Sequence, residues 1–289
     1  MKVEPLTPII GAEVSGLNLC RLTDHQFEGL RDAFTEHSVL FFRDQDAMTP
    51  ADQVAFARRF GPLHTHPAAP TLAEQDEIFV IHAHKDSKIA NGNGWHTDVS
   101  CDEEPPLATI LQLHLLPKTG GDTLFASMYA AYETLSEPMK AFLLTLEAHH
   151  ESEHIYRGRY ADRGAVDADK VYPRALHPMI RTHPESKRRA LYVNPSFTTR
   201  IEGLSRQESD ALLTMLYQHQ QRPEFQVRFN WSPNAVALWD NRCTHHFAMW
   251  DYWPEERKGH RVTIKGERPY LEPTREDSMP KNLRLSRQL

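Results

Sequence analysis

The residues that could do chemistry fall in two distant segments, Trp95-His96-Thr97-Asp98 and, about 150 residues later, Trp239-Asp240-Asn241-Arg242-Cys243-Thr244-His245-His246. On a strand, residues two apart share a face, so His96 and Asp98 can offer an imidazole nitrogen and a carboxylate oxygen to one point. A second imidazole from the later segment would complete three ligands. Two neutral nitrogens and one carboxylate on one face of an ion suit non-haem Fe(II) and leave the opposite face open to substrate and O2, which is oxygenase chemistry. The same donors suit catalytic zinc, so the three residues alone leave both metals open.

Two further segments narrow the choice. Gly120-Gly121-Asp122-Thr123 follows the first pair closely, and Glu256-Arg257-Lys258-Gly259-His260-Arg261 follows the second histidine segment. An iron oxygenase that reduces O2 by more than its substrate supplies needs a co-substrate, and a dicarboxylate co-substrate needs an anion clamp. A guanidinium is the best bidentate partner for a carboxylate, and a threonine hydroxyl can share it. His245 and His246 are adjacent, so on an extended segment they face opposite ways and one of them reaches the metal.

With these segments in place, the chain resembles the TauD/TfdA-type Fe(II)- and 2-oxoglutarate-dependent dioxygenases, and among them the taurine dioxygenases. The resemblance runs from about Pro5 to about Tyr270. Its segments, in family order, include Ile10-Gly11-Ala12-Glu13, Phe60-Gly61-Pro62-Leu63-His64, Trp95-His96-Thr97-Asp98, Gly120-Gly121-Asp122-Thr123, Phe197-Thr198-Thr199-Arg200 and Trp239-Asp240-Asn241-Arg242. It implies His96, Asp98 and His246 as the catalytic metal ligands, and Thr123 and Arg257 as the holders of 2-oxoglutarate. It also implies His66 and Arg261 as contacts for the substrate's acid group, with Phe197 lining the pocket; Arg200 is read as a structural ion-pair partner. The cofactors implied are Fe(II), 2-oxoglutarate and O2, and the reaction implied is hydroxylation next to the acid group of a small anionic substrate. A sulfonate so hydroxylated releases sulfite; an alkyl sulfate or an aryloxyalkanoate is the alternative within the family.

The sequence departs from the taurine pattern at two places. The tyrosine that taurine enzymes place near the substrate amine is matched by Ala69, and the asparagine that serves the amine falls at Gly92, flanked by Asn91 and Asn93. An amine that loses water without replacement partners binds poorly, so a longer or bulkier apolar tail is expected to do at least as well as taurine. Two readings from other classes stand beside this one, a zinc hydrolase on the same three ligands and a non-catalytic jelly-roll binding protein. The paired arginines and the Gly-Gly-Asp-Thr segment argue against both.

The 33 Lys and Arg stand against 39 Asp and Glu, giving a formal charge of −6 and no basic run, so nucleic acid is not an expected partner. No apolar stretch approaches the ~20 residues of a membrane span, and the start lacks a signal-peptide core. The expectation is a soluble, cytoplasmic homo-oligomer. Cys20, Cys101 and Cys243 are too few and too scattered for a disulfide framework and read as buried or partly buried thiols.

The elements that must position these residues alternate along the chain. Thr23-Asp24-His25-Gln26 has capping-box spacing before a helix ending near His37, Ser38 to Arg43 reads as a buried strand, and Thr49-Pro50 opens a helix to Phe60. Ser136 opens a third helix whose Met139, Phe142, Leu143 and Leu146 share a face, and Ser205 caps a fourth. Phe225, Val227, Phe229 and Trp231 alternate with polar residues, so Glu224 to Trp231 reads as a strand joined by Ser232-Pro233-Asn234 to Ala235–Trp239 in a hairpin. The fold class expected is mainly β with flanking helices (α+β), a double-stranded β-helix (jelly roll, cupin-like). Residues 1–270 form one domain, 149–178 a possible lid insertion, and 271–289 a carboxy-terminal tail.

Overall fold

In the computed structural model, which describes residues 1–66, 71–72, 75–159 and 170–273, local capping chemistry sets the helices. Thr23, Thr49 and Ser205 each close a capping box, opening α1 (Asp24–His37), α2 (Pro50–Arg58) and, far downstream, the helix Arg206–Gln220. Between the last two lie α3 (Met128–Glu133), α4 (Glu137–Leu143) and the short α5 (Glu153–Tyr156). Helix α4, the one expected to open at Ser136, is shorter than its periodicity suggests: Leu146 lies beyond it and Phe142 is 44% exposed, so that stripe is only partly core.

The first half of the chain gives β1 (Lys2–Pro5), β2 (Ala12–Ser15), β3 (Val39–Phe42), β4 (Leu63–His64), β5 (Thr71–Leu72), β6 (Gln75–Ala83), β7 (Ala108–Leu115) and β8 (Thr123–Ser127). The middle gives β9 (Glu147–Glu151), β10 (Arg174–Pro178), β11 (Ile180–Thr182), β12 (Arg189–Leu191) and β13 (Thr198–Ile201). The last part gives β14 (Gln226–Phe229), β15 (Val236–Asp240), β16 (Thr244–Ala248) and β17 (Arg257–Ile264).

A large sheet runs β1-β2-β3-β15-β7-β17-β6-β5, with β4 on β17, and it faces a small sheet ordered β14-β8-β16. Two facing sheets joined by long crossovers make the jelly roll. Strand β3 shows why its sequence is apolar at every position. Val39 and Phe41 point into the sandwich, where Phe41 stacks on Phe229 at 4.1 Å. Leu40 and Phe42 point the other way, under the helices, with Leu30, Phe34 and Val54. Truncating Phe41 to alanine is expected to cost about 3–5 kcal/mol.

The expected hairpin across Ser232-Pro233-Asn234 does not form. Strand β14 pairs with β8 in the small sheet, while β15 pairs with β3 and β7 in the large one, so the turn carries the chain from one sheet to the other. Alternation in β14 reflects one buried face, and the unbroken apolar run of β15 reflects two. Residues 223–225, at the start of the predicted strand, form a 3-10 turn.

The ends of the candidate lid are themselves ordered, since β10 pairs with β9; residues 160–169 lie outside the described residues. Of the tail, Leu271 packs against the core of α3, α4 and Arg206–Gln220, and Glu272 bonds Thr182 and Lys187; 274–289 lie outside the described residues. Cys101 and Cys243 are buried, whereas Cys20 is exposed, and all three are free thiols. Among the described residues no helix is long and apolar enough to cross a membrane.

Candidate active site

His96 closes a backbone bridge with His246, each amide donating to the other's carbonyl, at 3.1 and 2.8 Å. The chain then turns, with Val99 in the left-handed region at φ 46°, so Asp98 comes from a turn and not from the continuous strand expected of the H-x-D pair. Convergence is achieved all the same. Asp98 Oδ1 stands 3.8 Å from His96 Nε2 and 3.9 Å from His246 Nε2. These separations exceed a hydrogen bond and fall within the roughly 4 Å that two ligands on bonds of about 2 Å can span.

The donors are in the state a metal requires. His96 Nδ1 lies 2.8 Å from the Gly94 carbonyl, which can only accept, so the proton sits on Nδ1 and the Nε2 lone pair faces Asp98. Burial lowers the pKa of His96 and takes that of His246 well down, keeping both rings neutral. Burial alone would raise the Asp98 carboxyl; Arg261 at 2.7 Å, then the two imidazoles, hold it well below the usual carboxylate range. His246 is on β16, against Trp239 at 4.7 Å. His245 faces away, and neither of its ring nitrogens has a hydrogen-bond partner among the described residues.

A buried network holds Asp98 in place. Thr109 Oγ1 donates to Asp98 Oδ2 at 2.7 Å, and Asn241 Nδ2 donates to Thr109 at 2.9 Å. Asn241 Oδ1 accepts from the Asp98 amide at 3.3 Å and from Trp239 Nε1 at 3.0 Å. In the sequence Asn241 is one residue of the later segment, and its place between Trp239 and His246 is the signal for this role.

Arg257 and Arg261 sit four apart on β17, hence on one face, and both are buried. Arg257 donates from Nε to the Gly121 carbonyl at 3.1 Å and from Nη2 to Thr123 Oγ1 at 3.4 Å. Trp231 Nε1 also donates to Thr123, at 3.0 Å, and its ring lies 5.7 Å from the guanidinium. The alternation of the sequence marks Trp231 as a strand residue and gives no sign of this contact. No carboxylate pairs with Arg257 among the described residues, and burial lowers its pKa to about 10. Gly121, at φ 72°, is needed here, because a Cβ would sit 3.3 Å from Arg257 Cδ.

Beside the ligands opens a cavity of about 370 Å³, lined by His66, Phe197 and Arg261 together with His96, Asp98, Phe79, Tyr156 and Arg159. His66 stacks on Phe79 at 5.3 Å and meets the edge of Tyr156 at 5.2 Å, and burial takes its pKa well down. Arg261 Nε is buried without a partner among the described residues. Gly92, at φ 80°, leaves space that a Cβ would take within 3.4 Å of His96 Cε1 and Ala248 Cβ. Ala69 lies outside the described residues. Arg200 bonds Glu202 at the surface, as a structural ion pair.

Residues 2–263 match the family described as "Taurine catabolism dioxygenase TauD, TfdA family". The chain belongs to the TauD/TfdA family. It is 35% identical over 275 residues to the alkylsulfatase of Acinetobacter baylyi, covering 92% of this chain and 86% of that protein. It is 34% identical over 281 residues to the alpha-ketoglutarate-dependent sulfonate dioxygenase of Saccharomyces cerevisiae, covering 93% of this chain and 68% of the relative. The crystal structure of a taurine dioxygenase from Burkholderia xenovorans superposes with a TM-score of 0.79 at 36% identity, covering 93% of this chain and 92% of the other. TauD/TfdA enzymes are dioxygenases that use Fe(II), 2-oxoglutarate (alpha-ketoglutarate) and O2, and the jelly roll seen here is their fold.

Proposed function

We propose that the chain is an Fe(II)- and 2-oxoglutarate-dependent dioxygenase that hydroxylates a small organic acid, a sulfonate or alkyl sulfate, on the carbon bearing its acid group. The observation that carries this is the paired arginine face of β17, one guanidinium beside Thr123 without a carboxylate among the described residues, the other in a cavity lined also by His96 and Asp98. His96, Asp98 and His246 would hold the iron; two neutral imidazoles and one carboxylate with lone pairs to spare fit it. Bound there, Fe(II) supplies the activation of O2 by which 2-oxoglutarate becomes succinate and CO2 while the substrate's C–H becomes C–OH.

The protein's own groups do the rest. Arg257 and Thr123 take the distal carboxylate of 2-oxoglutarate, ending the isolation of a buried charge. Arg261, with an unused buried Nε, and neutral His66 take the acid group of the substrate and so fix which carbon faces the metal. Phe197, Phe79 and Tyr156 form an apolar wall that excludes water. A hydroxyl placed beside a sulfonate makes an unstable product that breaks to an aldehyde and sulfite, and beside a sulfate ester to an aldehyde and sulfate.

The alkyl sulfate reading has its own support in the apolar wall of a cavity of this size and in the 35% identity to an alkylsulfatase. A panel of alkyl- and arylsulfonates, alkyl sulfates, aryloxyalkanoates and taurine decides between them, read as 2-oxoglutarate consumption and release of sulfite or sulfate. At least one non-amine acid is expected to match or exceed taurine. Hydrolysis that needs neither O2 nor 2-oxoglutarate would point to zinc chemistry and overturn the proposal. The three free thiols suit a reducing compartment, which supports a cytoplasmic placement as part of the same proposal.

A further inference from the structure

The cavity beside the ligand cluster contains two guanidinium groups in unlike surroundings. Arg261 is ion-paired with Asp98 at 2.7 Å. Arg159, three residues past α5 and half-buried, donates from Nε and Nη2 to Asn91 Oδ1, both at 3.3 Å, and from Nη2 to the Ala90 carbonyl at 3.1 Å. Both acceptors are neutral. Two carboxylates of this region among the described residues are engaged elsewhere: Glu153 takes Arg157, and Asp98 takes Arg261. Among the described residues no carboxylate pairs with Arg159.

This arrangement also engages the Asn91 oxygen that could otherwise meet a substrate ammonium. Asn91 turns its amide oxygen to Arg159, Asn93 lies at the exposed rim of the cavity, and Gly92 has no side chain and little space for one. A cation that no carboxylate among the described residues pairs therefore stands on the cavity wall, bound to the amide oxygen of Asn91. We infer that Arg159 determines which substrate tail the site accepts, repelling an ammonium and binding a second anionic or strongly accepting group carried by the acid. The preferred substrate class is then an organosulfonate or sulfate whose tail ends in an oxyanion, not a zwitterion such as taurine. The inference rests on the sulfonate reading above and goes further by fixing the charge of the tail.

The test uses three sulfonates of matched chain length that differ at the far end: 4-sulfobutanoate, butane-1-sulfonate and 3-aminopropane-1-sulfonate. For the wild-type iron enzyme, kcat/KM should fall in that order. Two unit charges several Å apart at a half-buried site should separate the first from the last by about a hundredfold. Arg159→Gln should shrink that ratio by at least about tenfold while leaving butane-1-sulfonate within about threefold, and Arg159→Glu should invert it. Arg159→Lys should preserve the order. Equilibrium binding of the three sulfonates by calorimetry should follow the same ranking, which separates recognition from turnover. If Arg159→Gln lowers all three equally, Arg159 is a structural residue and the inference is overturned while the sulfonate reading stands. If the wild-type enzyme neither binds nor turns over any of the three, both fall.

Discussion

His96, Asp98 and His246 at one place, and His183, Asp240 and Cys243 at another, each bring three potential ligand atoms within 4.8 Å of one another. The second cluster is fully engaged with its own protein. Asp240 Oδ1 accepts from the amide and Nε of Arg242, both at 2.9 Å, and Oδ2 accepts from Arg242 Nη2 at 2.7 Å and His183 Nε2 at 3.0 Å. Four donors fill a carboxylate's acceptor positions. His183 Nδ1 accepts from the Ser186 amide at 3.1 Å, so its proton is on Nε2 and no ring lone pair remains. Burial pushes the Cys243 thiol up to about 12, so it stays protonated. Asp98, by contrast, accepts from Arg261 and Thr109 and keeps two positions open, and His96 keeps its Nε2 lone pair. Lone pairs left over, more than proximity, distinguish a candidate metal centre from a structural lock.

The comparison can be broken most directly at the ligands. His96→Ala, Asp98→Ala or His246→Ala should each abolish the visible charge-transfer band of the anaerobic Fe(II)–2-oxoglutarate complex and reduce turnover to background. His245→Ala should retain the band; the reverse pattern would show that the wrong neighbour has been chosen. Next in size is Arg257→Gln, which loses a buried charge-assisted pair of about 2–5 kcal/mol and should raise the 2-oxoglutarate requirement tens to thousands of fold. Iron binding measured without the co-substrate should barely change.

At the structural lock the expected effect is on stability alone. Asp240→Asn leaves Arg242 its half-exposed partner Glu185 at 2.8 Å but removes its buried one, and should cost about 3 kcal/mol in a denaturant titration, with the iron stoichiometry unchanged. The pH dependence has a definite sign. Burial alone would raise the Asp240 carboxyl, but Arg242 and His183 hold it far below its ordinary value. Its stabilising contribution is therefore complete above the ordinary carboxylate pKa of about 3.9 and is lost as pH falls below it. The variant should show a flatter acid limb, and equal acid limbs would count against the lock. Smallest is Asn241→Ala, which loosens Asp98 without removing a ligand; iron affinity should fall about 10–100-fold, as read by competition with a chelator.

How much of this was legible in the sequence depended on whether the determinants were local. Thr23, Thr49 and Ser205 cap their helices through residues three positions away, and those starts were readable. The strand Val39–Phe42 was readable because burial on both faces leaves no polar position. Sheet membership at residues 232–234 was not, since a turn between two strand-like runs looks the same whether they pair with each other or separate into facing sheets. The turn that delivers Asp98 depends on the left-handed Val99, which has no sequence signature, yet the spacing of His96 and Asp98 still marked the pair. Arg159 left no sign at all, because its proposed role rests on the lack of a carboxylate partner among the described residues, a property of the folded surroundings.

Strand β17, last in sequence among the described strands, is inserted between β7 and β6, which occupy earlier positions in the chain. During synthesis on the ribosome those two strands therefore emerge well before their shared partner and wait with unpaired edges, the kind of surface that recruits other nascent chains. The arginines that give the enzyme its proposed anion sites arrive on the same strand that closes those edges. Protection from aggregation and acquisition of co-substrate affinity would thus be one event in the life of the polypeptide, and a protein caught before it would be both sticky and blind to 2-oxoglutarate.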